Sequence, residues 1–403
     1  MESGPRARAA RVLVLGAGPA QLGLLEAARA RGLWVAVVDR DPAAPGFRLA
    51  DRRCILSTED EPAIERLVSA LEIGGIVSPG TDWPVGVAAR IAERAGLPHP
   101  ITPATAVLAT NKLRQRERLA EAGVPQPRWW VVGNGDEPPP VDGPHVVKAP
   151  DRQGQKGLTL VERADELEAA IERARSAARS GLALVEQLVD GPEVTVVGFS
   201  ARGTFTALVV TDRVVAGPPA FGVALAHVWP SAVSDTAKVS DTVSRALAAL
   251  GIEDGPSYTQ LRIGADGPRV IEVAARLGGG HDAELVEAVT GVDLNGLALD
   301  AAVGNELVLS QHKPRVGGAV TRFLVAPPGV LERVVVPDAL EGVLRVRIYR
   351  EPGYVFVPLR RGGDRAGAVF ATGATRAEAV ERGDRAAAAI RFEVSAALPE
   401  MAD

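Results

Sequence analysis

The sequence predicts a multidomain protein of α/β and α+β class, with a Rossmann-like domain at its N-terminal end. Apolar strands and Ala/Leu-rich helices alternate over the first part of the chain, as in a doubly wound parallel sheet. From residue 146 onward, strands and glycine turns follow one another with fewer helices. The length of 403 residues exceeds what one hydrophobic core usually accommodates, so two or three domains are expected.

The N-terminal part is predicted to consist of repeated strand and helix units. Its apolar runs predict strands at 12–15, 35–38, 54–56 and 75–78, with helices up to 30 and over 62–71 and 85–95. A glycine turn lies between the first strand and the first helix, and the second strand ends at Asp39. This order favours parallel strands joined by crossover helices.

The glycine turn over residues 16–23 allows two interpretations. Glycines between a strand and a helix, with an acidic residue ending the next strand, can hold the pyrophosphate of a dinucleotide. Here the glycines are spaced G-x-G-x-x-x-x-G, and Pro19 removes one backbone donor from the loop. We therefore favour a tight turn that opens a Rossmann-like domain, and a dehydrogenase is the least favoured function.

The remaining elements are predicted from apolar periodicity and from glycine and proline breaks. Residues 104–122 predict two helical pieces that end at Gly123, and residues 133–144 a connector. Strands are expected at 146–149, 158–161, 182–186, 193–199, 205–211, 258–263 and 269–273, and helices at 164–180 and 235–250. The chain after Gln311 is predicted to be mostly strand, with a last helix from Arg376 to about Glu393.

Composition disfavours several classes of function. The net charge is −5 with both signs interspersed, and aromatic residues make up only 4%, so no nucleic-acid surface is indicated. The single cysteine, Cys54, cannot form an internal disulfide. The apolar run 12–15 is too short for a signal peptide, and no run approaches the ~20 residues of a membrane span. We expect a cytoplasmic protein without membrane association.

Two lysines and a glycine loop predict a phosphate-binding site. Lys112 follows Asn111, and Lys148 lies on a predicted strand. The loop that follows carries Gly154, Lys156 and Gly157 before the next strand. Such a loop can fold over a triphosphate, offering N–H donors and positive charge while excluding water.

Acidic residues at the next two strands suggest contacts to a nucleoside. Glu186, Gln187 and Leu188 end one strand, and Glu193 begins the next after a short turn. A carboxylate and backbone groups could bind the edge of adenine, and a second carboxylate could bind ribose hydroxyls. The alternative is a hairpin with exposed acids.

A third cluster lies at the end of the predicted strand pair 258–263 and 269–273. Gln260 and Glu272 offer oxygen ligands of the kind that magnesium prefers beside substrate phosphates. Arg276 could stabilise a phosphoryl group in transfer, which makes Arg276 and Glu272 the candidate catalytic residues. Arg276 and the following Gly279, Gly280 and His281 are candidate substrate contacts, although a lone histidine more often packs or caps a helix.

In this order and spacing the clusters resemble the ATP-grasp superfamily. The resemblance implies an ATP-grasp fold with a pre-ATP-grasp domain at 1–110, a small lid subdomain at 111–188 and a large subdomain with a strand-rich C-terminal part at 189–403. It implies that Lys112 and Lys148 bind ATP phosphates, Glu186 and Leu188 adenine, Glu193 ribose and Glu272 magnesium, with residues 153–157 as the lid. Two positions depart from the family pattern: Gln260 and Ala274 stand where Asp or Glu and Asn are usual.

Such enzymes use ATP with Mg²⁺, or Mn²⁺ in its place, to turn a carboxylate into an acyl phosphate that a nucleophile then attacks. The stretch from Arg276 to Asp293 is most similar to bacterial L-amino-acid (dipeptide) ligases. The resemblance thus implies small carboxylate and amine substrates, release of ADP and phosphate, and often a homodimer.

Two alternatives remain open. The N-terminal glycine loop also resembles the bicarbonate-dependent ATPase subunit of phosphoribosylaminoimidazole carboxylase, an enzyme of purine biosynthesis. A nucleotide-binding regulatory protein without turnover would explain the two departures in the metal site. Phosphate release from ATP with defined substrates distinguishes all three.

Overall fold

The computed structural model describes residues 11–309 and 312–395. The basic start of the chain, where we expect no signal peptide, lies outside the described residues, as does Gln311. In the described part, no helix combines the length and apolarity needed to cross a membrane.

The N-terminal part is a four-stranded parallel sheet with the strand order β3-β2-β1-β4. Its strands are β1 (Arg11–Leu15), β2 (Trp34–Asp39), β3 (Arg52–Ile55) and β4 (Gly75–Val77), and its helices are α1 (Leu22–Ala30), α2 (Glu61–Ala70) and α3 (Trp83–Ala95). The apolar run of β1 is buried throughout from Val12 onward, because helices cover both faces of the sheet.

Two short helices and a small antiparallel sheet follow. The helices are α4 (Pro103–Thr110) and α5 (Lys112–Glu121), and Asn111 caps α5 by accepting the N–H groups of Leu113 and Arg114. The sheet has the strand order β5-β8-β6-β7. Its strands are β5 (Trp129–Val132), β6 (His145–Lys148), β7 (Thr159–Val161) and β8 (Ala183–Gln187), and helix α6 (Leu167–Ala177) covers it.

The largest sheet has eight antiparallel strands in the order β13-β12-β9-β10-β11-β14-β18-β16. Its strands are β9 (Glu193–Ala201), β10 (Thr204–Val215), β11 (Ala224–Trp229), β12 (Gly255–Gly264), β13 (Gly267–Ala274), β14 (Gly318–Leu324), β16 (Val343–Ile348) and β18 (Gly367–Gly373). Helices α7 (Thr236–Leu250), α8 (Asp282–Thr290) and α9 (Leu294–Val303) interrupt this strand series. The last part of the chain adds β15 (Gly329–Val335), β17 (Val355–Phe356), α10 (Arg376–Ala389) and β19 (Arg391–Ser395), whose strands form a separate sheet in the order β17-β15-β19.

One hydrophobic core joins the N-terminal sheet to the largest sheet. Val12 and Leu24 from the N-terminal part share it with Phe199 on β9, Val286 on α8 and Leu299 on α9. All five side chains are almost completely removed from solvent. The N-terminal part is therefore packed firmly against the strands that follow.

Most predicted elements are present, but strands β5 and β11 were not predicted from the sequence, and the helices differ in two respects. The last helix ends at Ala389 rather than near Glu393, because Ile390 is extended and the chain enters β19. Helices α8 and α9 were not predicted from the sequence. Residues 294–303 are apolar around most of the helix and largely buried, so they lack the one-sided pattern by which a surface helix is recognised.

Helix α5 covers the open edge of the largest sheet. Strand β13 lies at that edge, so its outer backbone groups need partners from outside the sheet. The Gln115 amide donates to the Val273 carbonyl at 2.7 Å and accepts the Val273 N–H at 3.0 Å. Arg116 donates to the carbonyls of Val270 and Ile271 at 2.8 and 2.6 Å. These bonds fix the strand that carries Glu272.

We expect Gln115→Met to lower the free energy of unfolding by about 2–4 kcal/mol, because it leaves two buried backbone groups of Val273 without a partner. Urea titration followed by circular dichroism measures the change. Arg114→Met on the exposed side of the same helix is the control and should stay within about 0.5 kcal/mol of the parent. Equal stability of both variants would show that Gln115 does not hold the strand.

Candidate active site

The N-terminal glycine turn is held by its own chain. Asp39 accepts the N–H of Ala17 at 2.8 Å and that of Asp41 at 3.0 Å, so both of its oxygens are engaged with the backbone. Gly16 has φ +109, a conformation that favours glycine. These contacts agree with a tight turn that opens a Rossmann-like domain.

A buried group of charges lies where the small sheet meets the largest sheet. Glu186 on β8 accepts from Arg116 at 2.7 Å and pairs with Lys148 at 2.8 Å, and its side chain is only 4% exposed. Burial would raise the pKa of Glu186, but the two neighbouring cations outweigh this and lower it. Burial lowers the pKa of Lys148 against the opposing effect of Glu186. The carboxylate thus holds Lys148 at the end of β6.

Lys112 and Glu272 form the second ion pair of the group. The Lys112 ammonium lies 2.8 Å from the Glu272 carboxylate and donates to the Arg152 carbonyl at 2.8 Å. Burial would raise the pKa of Glu272, but the Lys112 charge outweighs it and lowers that pKa to about 2. Glu272 is therefore ionised at neutral pH.

Gln260 and Glu272 face each other across the strand pair β12 and β13. Directly opposed residues of antiparallel strands project to the same face of the sheet. The Gln260 amide nitrogen donates to the Tyr258 hydroxyl at 3.2 Å, so the amide oxygen takes no part in that bond. Ala274, opposite Tyr258, is 3% exposed and offers no ligand atom.

This pair can hold magnesium only together with ligands from elsewhere. Within residues 11–309 and 312–395, no three side chains of His, Cys, Asp or Glu form a group able to hold a metal ion. Magnesium commonly binds one or two protein oxygens and completes its shell with phosphate oxygens and water. One carboxylate and one amide oxygen fit a metal that arrives with a nucleotide.

The predicted nucleotide contacts line one cavity between the two sheets. Most of the residues singled out from the sequence are present in its wall, together with apolar side chains such as Leu158, Phe221 and Ile271. The predicted residues that line it are Lys112, Lys148, Glu186, Gln187, Leu188, Glu193, Gln260 and Glu272.

Two polar groups in the wall of this cavity already have partners within the protein. The Leu188 N–H donates to the Pro144 carbonyl at 3.0 Å, so that donor is already used. Glu193 forms a short ion pair with Arg213, and Arg262 lies 3.7 Å from its other oxygen. Glu193 is therefore a fixed acceptor at the start of β9.

A second cavity adjoins the first and shares Gln155, Arg213 and Gln260 with it. Gly154, Arg276, Gly279 and Gly280 from the sequence prediction line this second cavity. The two cavities thus meet beside Gln260.

Arg276 is oriented by the N-terminal part of the molecule. Its Nε donates to Asp82 at 2.6 Å, and a second guanidinium nitrogen lies even closer to the same carboxylate. The Asp82 N–H in turn donates to the Gln153 side chain. The glycine loop is also held from the far side, because the Gly362 N–H donates to Gln155 at 3.2 Å.

Three predicted residues lie away from the two cavities. Lys156 is exposed and lines a cleft against the N-terminal sheet with Asp39, Asp82 and Arg179. Gly157 packs against α6, where an added Cβ would lie 2.8 Å from Ala177.

His281 is buried behind the cavity wall. It contacts the Tyr349 hydroxyl at 2.6 Å and Glu284 at 3.1 Å. His281 does not line the second cavity, whereas its partner Tyr349 does, so the structure does not bring His281 to the position predicted for a substrate contact.

Several residues of the site were missed by sequence reasoning. Asp82, Arg116 and Arg213 pair with predicted residues, while His227, Tyr349, Arg350 and Arg365 line the second cavity. Only Arg116 carried a usable signal, since it falls on the same helix face as Lys112, four residues away.

Family models match two parts of the chain. The ATP-grasp domain matches residues 141–284, which include strands β6, β7 and β8 of the small sheet and the strands that carry Gln260 and Glu272. The L-amino acid ligase C-terminal domain 2 matches residues 322–395. The matched segments contain Lys148, Glu186 and Glu272 of the buried charge group and much of the wall of the second cavity.

Full-length relatives support the same family. The chain is 30% identical over 400 residues to the uncharacterized protein y4rH of Sinorhizobium fredii (strain NBRC 101917 / NGR234), covering 92% of this chain and 80% of that protein. It is 27% identical over 408 residues to a formate-dependent phosphoribosylglycinamide formyltransferase of Burkholderia lata, covering 95% of each.

Solved structures show the same fold over nearly the whole chain. The L-amino acid ligase from Bacillus licheniformis superposes with a TM-score of 0.82 at 22% identity, covering 97% of this chain and 100% of that one. Phosphoribosylglycinamide synthetase from Anaerococcus prevotii gives 0.79 at 19% identity, covering 96% and 100%. The chain therefore belongs to the ATP-grasp ligase family and has its fold, with a C-terminal region of the L-amino acid ligase type.

Proposed function

We propose that this protein is an ATP- and magnesium-dependent ligase that activates a small carboxylate as an acyl phosphate and joins it to an amine. The observation that carries the proposal is the meeting of two cavities at Gln260, one with paired lysines and carboxylates and one with arginines. A phosphate chain in the first would direct its terminal phosphoryl group toward a carboxylate in the second. We also propose that residues 1–110, 111–188 and 189–403 form the pre-ATP-grasp domain, the small subdomain and the large subdomain. The proposed compartment is the cytoplasm.

In the first step, a carboxylate oxygen of the substrate attacks the γ-phosphorus of ATP. The bond between the γ-phosphorus and the bridging oxygen breaks, and ADP leaves with that electron pair. Lys112 and Lys148 would bind the phosphate oxygens, and Arg276 would stabilise the negative charge on the group in transfer. Because Asp82 already holds Arg276 in place, little reorganisation is needed at that moment.

In the second step, the amine nitrogen attacks the acyl carbon. The bond from that carbon to the phosphate oxygen breaks, phosphate leaves with the electron pair, and the nitrogen loses a proton. The products are an amide, ADP and phosphate. The Gly154 loop, tied to both neighbouring parts of the chain, would keep water from the acyl phosphate.

Magnesium, or manganese in its place, would be held by Glu272 and Gln260 and would neutralise the phosphate charge. Neighbouring residues keep these two ligands in place. Lys112 keeps Glu272 ionised, and the opposed strands keep the amide and the carboxylate on one face.

An amino-acid-like substrate pair is supported by the C-terminal match to the L-amino acid ligase domain. The second candidate is a one-carbon donor, formate or bicarbonate, joined to a phosphoribosyl amine. The full-length similarity to the formyltransferase favours it. Both candidates share the acyl phosphate and differ in the size of the acid.

The test is phosphate and ADP release from MgATP across a panel of amino acids, other carboxylates, formate and bicarbonate, singly and with amines. Mass spectrometry of the products identifies what is joined. Release that needs an acid and an amine, with a product equal to their sum minus water, is expected. ATP binding without release for any combination would favour a regulatory nucleotide-binding protein instead.

We expect Glu272→Gln to reduce phosphate release by about 100-fold or more, because the metal then loses the one carboxylate placed at its site. Glu332→Gln, which neutralises an exposed carboxylate on β15, is the control and should match the parent. Near-parental release by the Glu272 variant would place the metal elsewhere.

We expect Lys112→Met to make MgADP binding depend on pH. In the parent, the Lys112 charge lowers the pKa of Glu272 to about 2, so this carboxylate stays ionised between pH 5 and 8. Without Lys112, burial raises the pKa of Glu272, although Lys148 and Arg276 remain nearby. Affinity should therefore fall as the pH decreases.

Calorimetry of MgADP binding from pH 8 to pH 5 checks this prediction. The slope of affinity against pH is compared between parent and variant, so a uniform loss of affinity does not affect the result. Parallel slopes would mean that Lys112 does not control the ionisation of Glu272.

A further inference from the structure

The second cavity is strongly biased toward anions. Its wall contains four arginines, Arg213, Arg276, Arg350 and Arg365. Among the residues that the structure describes, none of those lining this cavity is an aspartate or a glutamate. A ligand with several positive groups would find no counter-charge on this wall.

Two of the four arginines are accounted for by the proposed reaction. Arg276 is paired with Asp82 and faces the point where phosphate and carboxylate meet, and Arg213 is paired with Glu193. Each of these guanidinium groups has a carboxylate partner before any ligand arrives.

Arg350 and Arg365 differ, because neither forms an ion pair with any carboxylate in residues 11–309 and 312–395. Arg365 lies over the ring of Phe323, 3.7 Å from its centre, and its Nε donates to the Gly362 carbonyl at 2.8 Å. Arg350 lies over the ring of Tyr354 at 4.3 Å and donates to the Gly363 carbonyl at 3.0 Å. Aromatic faces and neutral carbonyls hold both groups without cancelling their charge.

The local electrostatics also favour an incoming anion. Burial lowers the pKa of Arg365, and the nearby Arg213 lowers it further, against the opposing effects of Tyr349, Tyr258 and Asp282. The Nε of Arg350 is buried and has no hydrogen-bond partner. Burial lowers the pKa of His227 to about 4, so at neutral pH this wall residue adds no charge of its own.

We propose that the carboxylate substrate carries a second anionic group, which Arg350 and Arg365 bind while its first carboxylate reacts beside Arg276. A dicarboxylic acid is the class that fits, since planar guanidinium groups match carboxylates. The inference rests on the proposed function and specifies which acids the site selects. Arg350 and Arg365 are then specificity residues for the donor acid.

The experiment separates the donor acid from the unknown amine. Hydroxylamine traps the acyl phosphate as a hydroxamate, with release of phosphate, for any acid that the enzyme activates. Each diacid is compared with its monoamide of equal length: succinate with succinamate, glutarate with glutaramate, L-aspartate with L-asparagine, and L-glutamate with L-glutamine. Acetate and formate are included as simple acids.

We expect kcat/KM to be about tenfold or more higher for the preferred diacid than for its monoamide, because the monoamide leaves two cations unpaired. Arg350→Met and Arg365→Met should each remove most of this preference, mainly by raising KM for the diacid. Turnover of the monoamide should change less than about twofold. Arg365→Lys, which keeps the charge, should restore part of the preference.

Arg360→Met is the matched control, because Arg360 is exposed in the same loop region and forms no ion pair among the described residues. It should retain the parental preference. MgADP affinity, measured for every variant, should be unchanged and serves to confirm folded protein.

Two results would overturn the inference while leaving the proposed function intact. One is equal or better use of simple acids and monoamides by the parent. The other is an equal loss for diacid and monoamide in both arginine variants, which would make these residues general supports. Absence of hydroxamate with every acid, formate included, would overturn the proposed function and the inference together.

Discussion

The first cavity depends on buried charges that each have an opposite charge beside them. Glu186 lies between Arg116 and Lys148, and Lys112 faces Glu272, all at the junction of two sheets. Removing charges from water costs several kcal/mol each, and only close partners and further hydrogen bonds offset that cost. Arg116 provides both, because it also donates to the strand carbonyls beside Glu272. The network therefore orders the strands as well as the ligands.

The sequence predicted the fold, and it singled out most of the charged residues that line the first cavity, because both rest on local patterns. Apolar periodicity located most strands, and short ordered motifs located Lys112, Lys148, Glu186 and Glu272. The fold class and the family are confirmed by the comparisons. The assignment of individual roles stays a prediction.

The second cavity was largely beyond sequence reasoning. Asp82, Arg213, Arg350 and Arg365 come from distant parts of the chain and meet only through the sheet topology. The sequence around a single arginine does not indicate where that arginine lies in the folded protein. His281 shows the converse, since its motif directed attention to the cavity while its side chain packs behind Tyr349. For the cavity arginines and for His281 alike, contacts between segments far apart in the sequence determine where the side chain lies.

Helix α1 is bound to strand β16 near the C-terminal end of the chain, and these contacts bear on which sequence changes the protein tolerates. Glu26 on α1 binds Arg347 at 2.8 Å and Arg345 at 2.6 Å on β16, and Arg350 follows just after that strand. Gly23 on the same helix lies so close to Glu284 that an added Cβ would be 2.5 Å from its carboxylate. A chimera that takes its C-terminal segment from a relative would keep these contacts when α1 comes from the same parent. In this chain, the contacts that recombination can break join segments more than three hundred residues apart, since Arg347 and Glu26 are separated by 321.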